Sequence, residues 1–273
     1  MRQISTIYIL MVFLGSCVTT KTALKDFNNA EYYNAASKFQ KVIKEGDSNN
    51  SFLLAEALRK SNRLWQAQKY YADAIKNGYK EEIAYYYLAL SLKSNNAYDQ
   101  ADSLISHYLS KGNDESIIKL MRQELLYINN LRKYPDTSYY RVKNLEAINT
   151  EFAEYSPSFS NDKLFFVSNR LSEKIYSGTG TPFTDLYEVK TRGANVDLNS
   201  LKKLDDNINN EKVNSGSITF SEDGMYMIFA KGNDGKSTGR NNVDLYWSRF
   251  RRGGWTNPRP VSYTHLRAHE TRP

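Results

Sequence analysis

The first half of the chain carries apolar residues at a spacing typical of packed helices. Three segments share an alanine followed four residues later by a large apolar residue, at offsets of 32 and 34 residues: Ala35 and Phe39, Ala67 and Tyr71, Ala101 and Ile105. The positions three before these alanines are also large: Tyr32, Leu64 and Tyr98. An upstream pair recurs with them: Thr22-Ala23, Leu54-Ala55 and Leu88-Ala89. Because small residues let helices approach closely, the pattern predicts repeated helix–turn–helix units. A generic helical bundle is the alternative.

Glycines and polar clusters indicate where these helices end. Gly78, Gly112 and the polar residues 47–50 fall where helices are expected to stop. Residues 114–133 predict a further helix that caps the stack, with one apolar stripe formed by Ile117, Leu120, Met121 and Leu125. The tyrosine run 85–87 is expected to line a binding groove in part, with at least one ring filling the core.

The second half changes to short alternating runs typical of β-strands, after a stretch around Pro135 that loses helical periodicity. Residues 156–168 match residues 216–230, and each stretch is followed by an Asp-Leu-Tyr sequence, at Asp185 and Asp244. The second stretch contains a Ser-x-Asp-Gly turn, in which the polar side chains bond nearby amides and glycine tolerates positive φ. The doubled pattern is what successive propeller blades would produce.

These patterns resemble two known repeat families. The helical spacing resembles the tetratricopeptide repeat. The β stretches resemble the WD40-like (PD40) propeller repeats of OmpA-family proteins, since residues 149–157 look like the start of a blade and residues 254–258 like the W-x-x-P step before the next one. The resemblance implies an α + β multidomain chain, a tetratricopeptide-like helical solenoid followed by an incomplete all-β propeller of about two blades. Propellers normally need at least four blades.

The N-terminus has the features of a bacterial lipoprotein signal. Arg2 supplies the positive start and residues 7–14 form an apolar core too short to span a bilayer. The sequence Leu14-Gly15-Ser16-Cys17 resembles a lipobox, in which the cysteine is lipidated; a buried or incidental cysteine in an ordinary signal peptide is the alternative. Val18 follows, with no acidic signal for inner-membrane retention or surface export. The expected location is therefore the outer membrane, lipid-anchored and facing the periplasm.

The order of these features resembles PorE-like lipoproteins of the type IX secretion machinery. We expect the following division: a signal peptide at 1–16, a lipidated N-terminus and linker at 17–22, helical repeats at 23–133, a linker at 134–150, propeller blades at 151–260 and a non-native tail at 261–273. Relatives of this architecture continue with more blades and an OmpA-like domain that binds peptidoglycan. A peptidoglycan tether is thus expected only from such a missing C-terminal domain.

Charge and composition exclude several function classes. The net charge is +7, but six arginines against one acid lie between residues 249 and 273, so the folded part lacks the basic face of a nucleic-acid binder. A single cysteine excludes an internal disulfide framework. Three histidines leave little for a metal site, and two of them, His265 and His269, lie in the tail.

No residue of the chain is assigned to catalysis, to a cofactor or to a metal. The glycine-rich residues 232–237 have the wrong spacing for a phosphate loop and predict a hairpin loop instead. Asp185 and Asp244 are weighed as cation ligands at a blade edge, against ordinary hydrogen bonding at the start of a strand. His107 has no neighbouring Cys or His in the sequence and is expected to be a surface or groove residue.

The sequence therefore predicts a non-catalytic outer-membrane lipoprotein scaffold. It would mediate protein–protein contacts in a cell-envelope or secretion complex, bound to the membrane through its lipid, with no nucleic acid and no cofactor. The partner-binding residues are not identified. Two alternatives stay open: a fragment of a propeller-bearing hydrolase or peptidase, and a glycan-binding nutrient-uptake lipoprotein.

Overall fold

A computed structural model describes residues 18–133, 144–170, 172–192, 195–232 and 243–261. Its N-terminal half is helical and its C-terminal half consists of antiparallel sheets, which confirms the α + β class. The described helices are α1 (Thr20–Asn28), α2 (Tyr32–Val42), α3 (Ser48–Lys60), α4 (Leu64–Lys76), α5 (Ile83–Ser94), α6 (Tyr98–Lys111) and α7 (Glu115–Lys133). The first helix begins three residues before the expected start of the helical region at residue 23.

The helices pack in chain order, each against the next, and α5 also contacts α7. The alanines singled out by the repeat pattern are all fully buried: Ala23, Ala35, Ala55, Ala67, Ala89 and Ala101. Their large partners Phe39, Tyr71 and Ile105 are fully buried as well. Small residues at the helix contacts and large residues between them therefore form one continuous core, as the spacing predicts.

The turns inside the three helix pairs are built alike. Ala30, Asn62 and Asn96 all adopt the left-handed conformation, with φ of 61°, 61° and 59°, at the same 32- and 34-residue offsets as the alanines. In each turn the next amide donates to the carbonyl five residues before it, at 2.8–2.9 Å: Glu31 to Asp26, Arg63 to Leu58, and Ala97 to Leu92. This is the Schellman arrangement, which pairs otherwise orphaned carbonyls at a helix end.

The polar residues 47–50 begin a helix rather than end one. The carboxylate of Asp47 accepts the amide N–H of Asn50 at 3.0 Å and caps the N-terminus of α3. The expectation of a helix stop there was wrong because short polar side chains favour both turns and N-caps. Gly78 and Gly112 follow helix ends as predicted, and the tyrosines at 85–87 are all half-buried against the core.

The C-terminal half contains eleven described strands. They are β1 (Glu154–Ser160), β2 (Lys163–Ser168), β3 (Ile175–Tyr176), β4 (Thr181–Pro182), β5 (Asp185–Arg192), β6 (Asn195–Lys203), β7 (Asn214–Phe220), β8 (Tyr226–Gly232), β9 (Val243–Arg251), β10 (Gly254–Trp255) and β11 (Arg259–Pro260). The first sheet has the order β1-β2-β5-β6. The second has the order β10-β9-β8-β7, with β11 also paired to β9, and β3 and β4 form a separate hairpin.

The two large sheets repeat the same local devices. The first strand of each has a register shift at a serine with positive φ, Ser156 in β1 and Ser217 in β7, 61 residues apart. The predicted Ser-x-Asp-Gly turn between β7 and β8 is confirmed. The Ser221 hydroxyl donates to Asp223 at 2.6 Å, the amide of Met225 donates to the same carboxylate at 2.9 Å, and Gly224 has a φ of 66°.

An apolar joint holds the two sheets together. Phe165, Val167 and Leu186 of the first sheet share a buried cluster with Ile218, Met227 and Phe229 of the second. The ring of Phe220 packs against Phe165, with centroids 4.5 Å apart. One face of the first sheet is thus sealed by the second.

The left-handed turn at Ala30 predicts that replacement of this alanine by glycine stabilises the fold, whereas the same replacement inside a helix destabilises it. Ala30→Gly should stabilise the fold by about 0.5–1 kcal/mol. A left-handed alanine costs about 1–2 kcal/mol, and the greater conformational entropy that glycine loses on folding offsets part of the gain from its removal. Ala72→Gly, at an exposed position inside α4, should destabilise it by about 1 kcal/mol. Urea unfolding of both variants measures the difference. A loss of stability in both would contradict the turn assignment.

Candidate interaction surfaces

The predicted lipidation site, Leu14, Gly15, Ser16 and Cys17, lies outside the described residues. The described chain starts at Val18, and Thr19 and Thr22 form a reciprocal capping box at the start of α1. Three residue steps separate Cys17 from the first residue of α1, at most about 10 Å of chain. A lipid on Cys17 would therefore hold α1 close to the membrane. None of the helices in the described ranges is long and apolar enough to cross a bilayer.

The last helix, α7, has two apolar faces. One packs on the array and buries Ile117, Met121 and Ile128. Outside that face, Leu126, Tyr127 and Leu131 are exposed by 59%, 53% and 57%, and Tyr127 and Leu131, four residues apart, form a second stripe. Terminal units of helical arrays normally present a polar outer face. The exposed apolar stripe is instead the composition expected of a contact surface.

Ion pairs link α7 to two neighbouring helices. Arg132 donates to Asp99 and to Asp102, both on α6, at 2.5 Å. Lys93 on α5 forms an ion pair with Glu124 on α7, and its ammonium lies 5.5 Å from the centroid of the Tyr127 ring. The helix that carries the exposed stripe therefore makes polar contacts with both α5 and α6.

The second sheet leaves open the face that the first sheet buries. Ile228 and Leu245 occupy the positions of Phe165 and Leu186 in the repeated strand pattern, 63 and 59 residues later. Phe165 and Leu186 are 3% and 0% exposed, whereas Ile228 and Leu245 are 40% and 42% exposed. The face of the second sheet with Ile228 and Leu245 therefore corresponds to the face of the first sheet that packs in the joint, but it is not covered.

The other face of the first sheet is mostly covered, since Leu164, Phe166, Tyr187 and Val189 are buried in a cluster with Ile148. Phe159 matches Phe220, which packs into the joint between the sheets, yet Phe159 is 66% exposed. Phe159 is therefore an exposed position on a face that is otherwise mostly buried.

The hairpin β3–β4 joins the sheets to the helical array. The first-turn amide of Tyr33 in α2 donates to the carbonyls of Ser177 and Gly178, both at 3.2 Å. Helix α2 has no side-chain cap, so these carbonyls satisfy a donor that would otherwise lack a partner. Gly180, with a φ of 76°, lies against the Tyr33 ring so closely that a Cβ atom there would overlap it. Both the backbone and the packing require glycine at this point.

The two aspartates weighed as cation ligands have different surroundings. Asp185 is buried and pairs with Lys203 at 2.8 Å, and its burial raises the pKa of the carboxyl group. Asp244 is exposed at the start of β9. No group of three or more potential metal ligands occurs in the described part of the chain. His107 is exposed on α6, as expected.

The sequence patterns did not point to the interaction surfaces. Leu126, Tyr127 and Leu131 lie outside the apolar stripe that the sequence predicts for α7; the four-residue spacing of Tyr127 and Leu131 is the signal that identifies a second one. The contact between Tyr33 and Gly180 joins residues far apart in the chain and leaves no local pattern. No protein-family model matches the chain, and no curated protein is significantly similar to it.

The junction predicts that two glycines with the same backbone conformation differ in their response to alanine. Gly180→Ala should accelerate amide hydrogen exchange at Tyr33, because the added methyl group displaces the hairpin from α2. Gly253→Ala is the matched control, since Gly253 has a φ of 83° and nothing within 4 Å of a Cβ atom. Both variants carry backbone strain of about 1–2 kcal/mol. Equal exchange at Tyr33 in the two variants would argue against the docking contact.

Proposed function

We propose that this chain is a non-catalytic lipoprotein scaffold of the outer membrane, anchored through Cys17 and facing the periplasm. It would mediate protein–protein contacts in a cell-envelope or secretion complex. The observation that carries the proposal is the exposed apolar stripe of α7, at the end of a helical array opposite to the anchor. Apolar and aromatic side chains grouped on a surface are typical of sites where another protein binds.

The helical array is proposed to be a tetratricopeptide-like solenoid, and this supports the scaffold function. Its helix pairs share the same buried alanines and the same left-handed turns at Ala30, Asn62 and Asn96. Arrays of this kind stack one unit on the next and bind partners on their extended surfaces. A partner that covered Leu126, Tyr127 and Leu131 would continue the stack.

The β half is proposed to be the first two blades of a propeller. Its support is the repetition of strands, bulges and joint between the two sheets. Two blades do not close a ring, so Phe159 at one end and Ile228 with Leu245 at the other are proposed to be covered by further blades. Peptidoglycan tethering is proposed only for a form of the protein that carries an additional OmpA-like domain.

The anchor is tested by substitution of the cysteine. In the cell, Cys17→Ser should move the protein from the membrane fraction to the soluble fraction, because the acyl chains contribute about 0.8 kcal/mol per buried methylene and nothing else in the described residues spans a bilayer. Fractionation followed by immunoblotting measures the distribution. Ser16→Ala, which keeps the cysteine, is the control that should remain bound. Membrane retention of Cys17→Ser would remove the anchor from the proposal.

The α7 surface is tested by a matched pair of leucines. Leu131→Ser should reduce crosslinking to a partner at α7 by about tenfold or more, since buried contact residues carry much of a binding energy. Leu198→Ser on β6, where the leucine is 49% exposed, should leave it unchanged. Both replacements alter stability by less than about 0.5 kcal/mol, because the side chains are exposed.

Crosslinking from a photoreactive group at position 127, followed by mass spectrometry, is the measurement. A defined crosslinked protein that is lost in Leu131→Ser and retained in Leu198→Ser supports the scaffold. An unchanged crosslinking pattern in Leu131→Ser, or the absence of any crosslinked protein in intact cells, would refute this surface as the contact site.

A further inference from the structure

A cleft of about 700 Å³ lies between the helical array and the sheets. On the helical side it is lined by Tyr33 and by the turn before α4, which includes Asn62 and Arg63. On the other side it is lined by β1, by the β3–β4 hairpin and by the start of β7, including Ser215. Clefts of this size between two parts of a protein are the usual sites of small ligands.

Arg63 is held in one orientation at the edge of the cleft. Its Nε and Nη2 atoms donate to the hydroxyl oxygen of Ser61 at 3.0 and 2.8 Å, and its guanidinium lies 4.7 Å from the centroid of the Tyr33 ring. A guanidinium has five N–H donors, so three remain after the two to Ser61. Stacking on an aromatic ring leaves the edge of the group accessible for planar, two-point hydrogen bonding.

The side chains that line the cleft carry positive charge. Lys231 is its second cationic side chain, and none of the described lining residues is acidic. The Lys231 ammonium donates to the carbonyl of Ile208 at 2.8 Å. Burial lowers the pKa of both Arg63 and Lys231, although the Asp185 carboxylate, which does not line the cleft, partly offsets the shift at Lys231. Neither cation forms an ion pair among the described residues. Helix α4 starts directly after Arg63 without a side-chain cap, which adds partial positive charge.

A buried hydroxyl without a partner provides the second, independent observation. Ser215 is 0% exposed, lines the cleft, and its Oγ has no hydrogen-bond partner among the described residues. An unpaired buried hydroxyl costs about 1–3 kcal/mol. The neighbouring Thr184 hydroxyl donates to the Ser215 carbonyl at 2.7 Å, so the backbone around it is fixed. A ligand atom in the cleft would complete the missing hydrogen bond.

We propose that this cleft binds a small ligand that carries a carboxylate group, with Arg63 as the anchor of the carboxylate and Ser215 as a further hydrogen-bond donor. One guanidinium edge matches the two oxygens of one carboxylate. Lys231, already engaged by a carbonyl, supplies long-range attraction. A dianionic phosphate would be less well compensated by this single accessible guanidinium. The site does not include α7 or Cys17, so a test of this proposal is independent of the test of the scaffold function.

The test compares acids with their neutral counterparts on the purified chain. The probes are N-acetyl-trialanine and its C-terminal amide, and digalacturonate and the neutral digalactoside, each titrated by calorimetry at low salt. At least one acid should bind about tenfold or more tightly than its neutral counterpart, and the acid that binds identifies a peptide or a sugar source. Failure of both acids to bind at about 10 mM, or equal binding of the neutral probes, overturns the proposal.

Two variants locate the binding. Arg63→Gln should reduce the affinity for the acid about tenfold or more and abolish the preference over the neutral probe. Lys60→Gln, which removes an equal charge from an exposed residue of α3 outside the cleft, should change neither. An unchanged dissociation constant in Arg63→Gln overturns the proposal.

Ser215→Ala decides the case if Arg63→Gln fails to fold. It removes a hydroxyl that has no partner within the described structure, so the melting temperature should be unchanged or higher. The affinity for the acid should fall severalfold. An unchanged affinity in a folded Ser215→Ala protein places the ligand elsewhere and overturns the assignment.

Discussion

The amides at the start of a helix need acceptors, and in α2 they find them in the β half of the chain. The Tyr33 amide donates to two hairpin carbonyls, and Gly180 lets the hairpin approach the Tyr33 ring. This contact joins the sheets to the array, and Tyr33 and Gly180 both line the cleft beside it. Tyr33 also stacks on Arg63. One residue thus docks the two halves and orients the cation of the cleft.

Both halves of the protein are built by repetition, and the same physical consequence appears in each. A unit that buries its apolar face against the next unit leaves the last unit uncovered. In the array this is the second stripe of α7, with Tyr127 and Leu131. In the sheets it is the face with Ile228 and Leu245, whose counterparts in the first sheet are fully or almost fully buried. The exposed apolar surfaces are therefore located where the repeats end.

Most of the secondary structure and much of the core were predictable from the sequence. The alanine spacing identified the helix contacts because close packing there admits only a small side chain, and the Ser-x-Asp-Gly turn follows from local chemistry. The junction was not predictable, since Tyr33 and Gly180 meet only through the tertiary fold. Arg63 has no local signature either, because its role depends on a cleft formed by both halves. The polar residues 47–50 predicted a helix end but form the start of α3, because turns and N-caps favour the same short polar side chains.

The proposed anchor and the proposed contact surface lie at opposite ends of the same array. Five helices, α2 to α6, lie between α1 and α7 in the chain-order packing of the array. With Cys17 lipidated, α1 would lie next to the bilayer and the stripe on α7 would face a partner well clear of the lipid headgroups. An array that holds a binding surface away from its anchor depends on a continuous core and on regular turns, and not on reactive side chains. The turns at Ala30, Asn62 and Asn96 share one backbone conformation, so the two helices of each pair are joined in the same way.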